Sequence, residues 1–166
     1  MKSRRKAREA ALQALYQCDT LGEFDEACID LYFKVFKTEA CDPSAPLEGT
    51  QKENLEFCRA LLSGVISSMS FIDSQISSAS TNWSINRMCR VDRNILRLAV
   101  FEIAFMEDIP VSVSINEAIE IAKSYGTVDS PMFINGVLDN VAGVLDQNPE
   151  LVTSALALVK KVAVNG

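Results

Sequence analysis

The sequence predicts an all-α protein, and three observations carry that reading. Apolar residues recur at the i, i+3, i+4, i+7 spacing of amphipathic helices almost throughout, no sustained alternation of period two interrupts them, and helix start and stop signals punctuate the chain. The 166 residues, 48% of them hydrophobic, suffice for a buried core in one domain or two closely packed halves.

A first helix is expected over about residues 3 to 19, with Gly22 as its stop, and Asp25 then caps a second helix bearing Ile29, Phe33 and Phe36. Two prolines and a glycine in CDPSAPLEGT mark a loop. Thr50 and Glu53 form a capping-box pattern for a third helix, with Leu55, Cys58, Leu62, Val65 and Met69 on its buried side. A fourth helix covers about residues 71 to 79, and the polar stretch SSASTNW leads into a long helix over about 86 to 106, ended by Pro110.

A second capping box, Ser114 and Glu117, opens a helix with Ile115, Ala118, Ile119 and Ala122 on one face and Gly126 at its end. Ser130 as N-cap and Pro131 at the first helical position start a helix carrying Ile134, Val137, Leu138, Val141 and Leu145. Asn148, Pro149 and Glu150 repeat that signal for a terminal helix with Val152, Ala155, Leu156 and Val159.

Charge is distributed unevenly. Lys2, Arg4, Arg5, Lys6 and Arg8 precede the first acid, Glu9; taking those five charges from the net of −6 leaves −11 on the rest of the chain. A basic arm on an acidic body suits one anionic partner docking at one place; the alternative is a solvated, fraying terminus.

Composition removes several function classes. With no histidine the usual neutral-pH base, the Ser-His and Cys-His pairs and the commonest metal ligand are gone, and no glycine-rich phosphate loop is present. Five cysteines (Cys18, Cys28, Cys41, Cys58, Cys89) without a CxxC pair indicate neither a disulfide framework nor zinc, which fits a reducing cytoplasm. Arg8, Glu9, Gln13 and Gln17 interrupt any signal-peptide core, although an amphipathic, Arg-rich start also suits a transit peptide; no run reaches the roughly 18 apolar residues of a membrane span. The expectation is a binding protein without catalytic residue, metal or cofactor.

Three features stand out as candidate surfaces. On the first helix Arg5, Arg8, Leu12 and Tyr16 share a stripe whose cations and ring suit single-stranded nucleic acid; equally, Leu12 and Tyr16 can pack on a neighbouring helix with the arginines solvated. Arg90, Arg93 and Arg97 form a ladder that extends a basic surface or, more commonly, a salt-bridged face, while Glu102 amid apolar positions needs a hydrogen-bonding or cationic partner. Phe133, Gly136 and Asn140 form a stripe where a partner can approach the backbone, with helix packing against Gly136 the favoured reading on pattern.

The segments RRKAREAALQALYQ, VDRNILRLAVFEI, IPVSVSINEAIEIAKSYG and DSPMFINGVLDNVA, in that order, resemble the transcription antitermination protein NusB family. The resemblance implies two packed three-helix bundles over residues 1–146, with halves meeting near residue 80; residues 147–166 extend past the family's last motif with an extra amphipathic helix of their own. It also implies binding of single-stranded boxA-like RNA in ribosomal RNA leader transcripts, with ribosomal protein NusE as partner and an RNA polymerase antitermination complex as setting, and no catalysis. On the family's motif the RNA-binding residues fall on Arg4, Arg5, Lys6, Arg8 and Tyr16, with Arg97 and Phe133 beside them, and the partner-binding residues on Asp92 and Asp129. The segment CDPSAPLEGT and the second helix match poorly. The tail is expected to fold back on the bundle; a homodimer contact or a cover over the binding surface are its other roles. Two further readings compete: a module like the N-terminal region of ribosomal RNA cytosine methyltransferases, and a purely structural helical protein.

Overall fold

The computed structural model describes residues 2–40 and 49–165, with the backbone alone at 2, 3, 35–40, 50 and 165. Its described residues form eight α-helices and one 3-10 turn, with no strand among them. They divide into two compact units, with the boundary between Ile66 and Ser67.

In the first unit α1 (Lys2–Leu21) turns at Gly22, whose φ of 71° lies in the left-handed region that glycine adopts without strain. Asp25 caps α2 (Glu26–Ala40) as expected: its Oδ1 accepts the Cys28 N–H at 2.8 Å. Ala7, Ala11, Ala14 and Cys18 of α1 are buried, as are Ile29 and Phe33 of α2, and the two helices pack on each other. CDPSAPLEGT falls almost wholly on residues 41–48, outside the described residues, and neither Phe36 nor Thr50 of the first capping box has a described side chain.

The third helix, α3 (Thr50–Ser67), buries Cys58, Leu61, Leu62 and Val65. Its Arg59 reaches Asp30 at 3.1 Å and lies over the Phe33 ring, an exposed pair worth about 0 to 1 kcal/mol. Cys18, Cys28 and Cys58 are buried free thiols and Cys89 an exposed one. Burial pushes Cys58 up to about 12, and burial together with Cys28, whose sulfur lies 2.7 Å away, does the same to Cys18.

The second unit holds α4 (Met69–Ala79), a 3-10 turn (Ile85–Arg87), α5 (Arg90–Phe105), α6 (Val111–Tyr125), α7 (Ser130–Gln147) and α8 (Glu150–Asn165). Around α5 pack α4, α6 and α7. Within this unit α4 packs on α5 and α7, and Met69 opens α4 instead of closing α3.

Three helix starts differ from the sequence reading. Residues expected to begin the long helix at 86 form the 3-10 turn, because Met88 is buried and Met88 and Cys89 run extended before Arg93 N–H closes on Cys89. Pro110, not the Ser114 box, starts α6; Ser114 and Glu117 lie inside it, buried, with the Ser114 hydroxyl 3.4 Å from Glu102 Oε1. Asp129 occupies the cap position of α7, and Ser130 is its first residue, whose Oγ accepts the Thr127 N–H at 2.9 Å.

One ion pair pins α4 to α5. Arg97 donates from Nε to Asp73 Oδ1 at 2.9 Å, from Nη2 to Asp73 Oδ2 at 3.0 Å, and from Nη1 to Asn94 Oδ1 at 3.0 Å. Where α6 gives way to α7, a Cβ on Gly126 would stand 2.5 Å from Ser130 Oγ and 2.9 Å from the Ala122 carbonyl oxygen, so this glycine is required by space and not by φ.

Two substitutions test this packing. Asp73→Ala should cost about 3 kcal/mol by stranding a buried guanidinium, and Gly126→Ala about 1 to 3 kcal/mol by overpacking the α6–α7 turn. Urea unfolding monitored by circular dichroism measures both, and losses under 0.5 kcal/mol would contradict them.

Candidate nucleic-acid interface

The basic arm occupies the first two turns of α1. Its first turn carries no acidic residue, so cationic side chains coincide with the positive end of the helix dipole. That arrangement repels itself at rest and attracts an anion, since first-turn N–H groups also point towards any bound phosphate.

Within the arm the side chains separate by depth. Arg4 and Lys6 are exposed, Arg5 is half-buried, and Arg8 is only 3% exposed. Both Arg4 and Arg8 extend to one ring on α3: their Cζ atoms lie 5.0 and 5.2 Å from the Phe57 centroid. The predicted stripe thus divides. Leu12 is buried, as the packing alternative has it, Arg8 is buried where that alternative left the arginines solvated, and Tyr16 is 43% exposed.

In the second unit a cleft of about 320 Å³ lies among the 3-10 turn and the starts of α5 and α7. Trp83 and Phe133 supply aromatic walls; Asp92, Asp129, Ser130 and Arg87 supply polar ones. Asp92 is 8% exposed, and its Oδ1 has no hydrogen-bond partner among the described residues. Burial pushes this carboxyl above its ordinary value, opposed by a hydrogen bond with Ser130 that favours the ionised form. Asp129 is exposed at the cap of α7 and makes no side-chain capping bond.

Phe133, Asp92 and Asp129 therefore come together, whereas Arg97 does not line this cleft: it is 7% exposed and committed to Asp73 and Asn94. The favoured packing reading of Gly136 is also corrected, since a Cβ there would meet nothing within 4 Å and the residue is exposed. Asn140 reaches back to the Ala79 carbonyl at 3.3 Å.

Sequence reasoning missed Trp83, Arg87 and Phe57. A single tryptophan, 54% exposed, at the end of the polar stretch SSASTNW is a signal that could have drawn attention to the cleft. Phe57 carries no such signal, because its place under the arginines depends on how α3 packs.

Comparison with known proteins agrees with this architecture. The NusB family model matches residues 5–143. The chain is 47% identical over 145 residues to a transcription antitermination protein NusB of Geotalea uraniireducens, covering 87% of this chain and 97% of that one. It is similar in structure to T. maritima NusB (TM-score 0.71, 39% identity, 84% of this chain and 90% of that chain). It is also similar to a chain from a complex of antitermination factors NusB and NusE with double-stranded RNA (TM-score 0.70, 26% identity, 87% of this chain and 98% of that one). Among the described residues no single helix is long and apolar enough to cross a membrane.

Asp92 makes a pH prediction whose sign follows from burial. A carboxyl raised in the folded state stabilises in full below its unfolded pKa of about 4, and that contribution is lost as pH rises through the folded value. Asp92→Asn should therefore raise the thermal midpoint at pH 7, with the gain shrinking as pH falls towards 4. Thermal unfolding of both proteins across that range measures it; a gain independent of pH would contradict the assignment.

Proposed function

The chain belongs to the NusB family, and from that premise we propose that it is an RNA-binding antitermination factor, acting with ribosomal protein NusE on boxA-like RNA of ribosomal RNA leader transcripts. The observation that carries this reading is the concentration of five cations in residues 1 to 8 of an otherwise acidic chain, ordered as the first turns of a helix. An RNA polymerase antitermination complex in the cytoplasm is its setting. The work is binding and not catalysis.

Arg4, Arg5 and Lys6 meet phosphates, because their charges are at least partly accessible on α1. Tyr16 and Phe133 offer ring faces on which unpaired bases stack. Asp92 and Asp129 present acceptors to donors of the protein partner, and Trp83 extends the apolar wall beside them. Arg8 and Arg97 contribute from beneath: the first under the arm, the second by holding α4 on α5. Leu158 and Val162, exposed and one turn apart on α8, supply an apolar side for a homodimer. The relatives are themselves named antitermination proteins, so the methyltransferase-module alternative is not favoured.

Fluorescence anisotropy of a boxA-like single-stranded RNA and a scrambled control, titrated with and without NusE over a range of salt, tests the proposal. Selective binding that tightens with NusE is expected. Arg4→Ala should lower the log-log salt slope by about 0.7, the loss of one single-strand phosphate contact. Arg8→Ala should chiefly lower the thermal midpoint and leave the slope in place. Equal affinity for both RNAs, unmoved by NusE, would contradict the reading.

A further inference from the structure

We propose that Phe57 on α3 is a positioning residue for the basic arm: its ring holds the guanidinium groups of Arg4 and Arg8 and so orders the first turns of α1 before RNA arrives. This inference rests on the RNA-binding reading of the arm.

Three observations support it. The Cζ atoms of Arg4 and Arg8, one helical turn apart, lie 5.0 and 5.2 Å from the centroid of the same ring, within the range over which a cation is attracted to an aromatic face. Phe57 itself is fixed, since it sits on α3 beside Cys58, which is buried, and its own ring is half-buried. Local sequence opposes the order: four cations within residues 4 to 8, with no acid in the first turn, repel one another at a helix end that would otherwise fray.

The ring thereby links a buried cation to an exposed one. Arg8 is covered and cannot itself track a phosphate, but with Arg4 on the same ring it fixes where Arg4 stands. An arm already helical offers its first-turn N–H groups together with its side chains, and binding no longer has to order it. Phe57 touches no RNA in this scheme.

The test uses the full chain and three variants. Phe57→Leu keeps an apolar side chain and removes the aromatic face, Phe57→Met does the same with more adaptable packing, and Phe57→Tyr restores the ring. Trypsin cleavage after Arg4, Arg5 and Lys6, followed by intact mass, reads order in the arm without any RNA. Anisotropy with the boxA-like RNA reads its consequence.

Expected are cleavage about fivefold faster and RNA binding about fivefold weaker in Phe57→Leu, with an unchanged salt slope and both properties recovered in Phe57→Tyr. Phe57→Met replaces Phe57→Leu if circular dichroism shows the latter to be unfolded. Unchanged cleavage overturns the proposal. So does faster cleavage with unaltered RNA affinity, and so does a Tyr variant that behaves like Leu. A wild-type chain that binds no RNA overturns the functional reading instead, while the cleavage comparison still decides whether Phe57 orders the arm.

Discussion

A helix surrounded on nearly every side leaves no water for its polar residues, and α5 is such a helix: ten of its residues are buried, Asp92, Asn94, Arg97 and Glu102 among them. Each must find its partner inside the protein or carry a desolvation cost. Arg97 takes both oxygens of Asp73 and the amide oxygen of Asn94, Asn94 returns its own donor to the Arg90 carbonyl, and Glu102 meets Ser114. These bonds tie α5 to α4 and α6, and the arrangement of the second unit follows from satisfying them. Asp92 alone of the four keeps an unpartnered oxygen, and it is the one that lines the cleft with Trp83 and Phe133. The candidate site thus lies beside the one of these four side chains whose internal hydrogen bonding is incomplete among the described residues.

The first unit treats its cations in a related way. Arginines that read as a nucleic-acid arm also serve the fold, because a guanidinium can lie flat on a ring and remain charged. Arg8 goes largely to packing, whereas Arg4 lies over the same ring and stays exposed. Counting the basic residues of the arm therefore overstates the number that can contact phosphate. Depth, not charge alone, decides which of them are accessible.

Much was legible because helix formation is governed by local periodicity. Ile134, Val137, Leu138, Val141 and Leu145 are all buried on α7, as their spacing requires, and Asp25 caps α2 through its own neighbour. The failures have specific causes. Ser114 and Glu117 match a capping box in sequence, yet Pro110 begins the helix earlier and both residues are buried, Ser114 against Glu102. Asn86 fits the start of a long helix, but the burial of Met88 forces two extended residues before α5 can begin.

Sequence by itself determined the helical class, most of the helix faces, the localised basic arm and, through four ordered motifs, the family. Periodicity, composition and motif order are properties of neighbouring residues, and no folding is needed to express them. Tertiary structure alone decided that Arg97 is an internal ion-pair partner, that Gly136 stands open, that Trp83 walls a cleft with Asp92 and Phe133, and that Arg4 and Arg8 share the ring of Phe57. Those facts join residues up to 53 positions apart along the chain. Which of two equally amphipathic faces ends up covered depends on the neighbouring helix that packs there, and no local pattern encodes that choice.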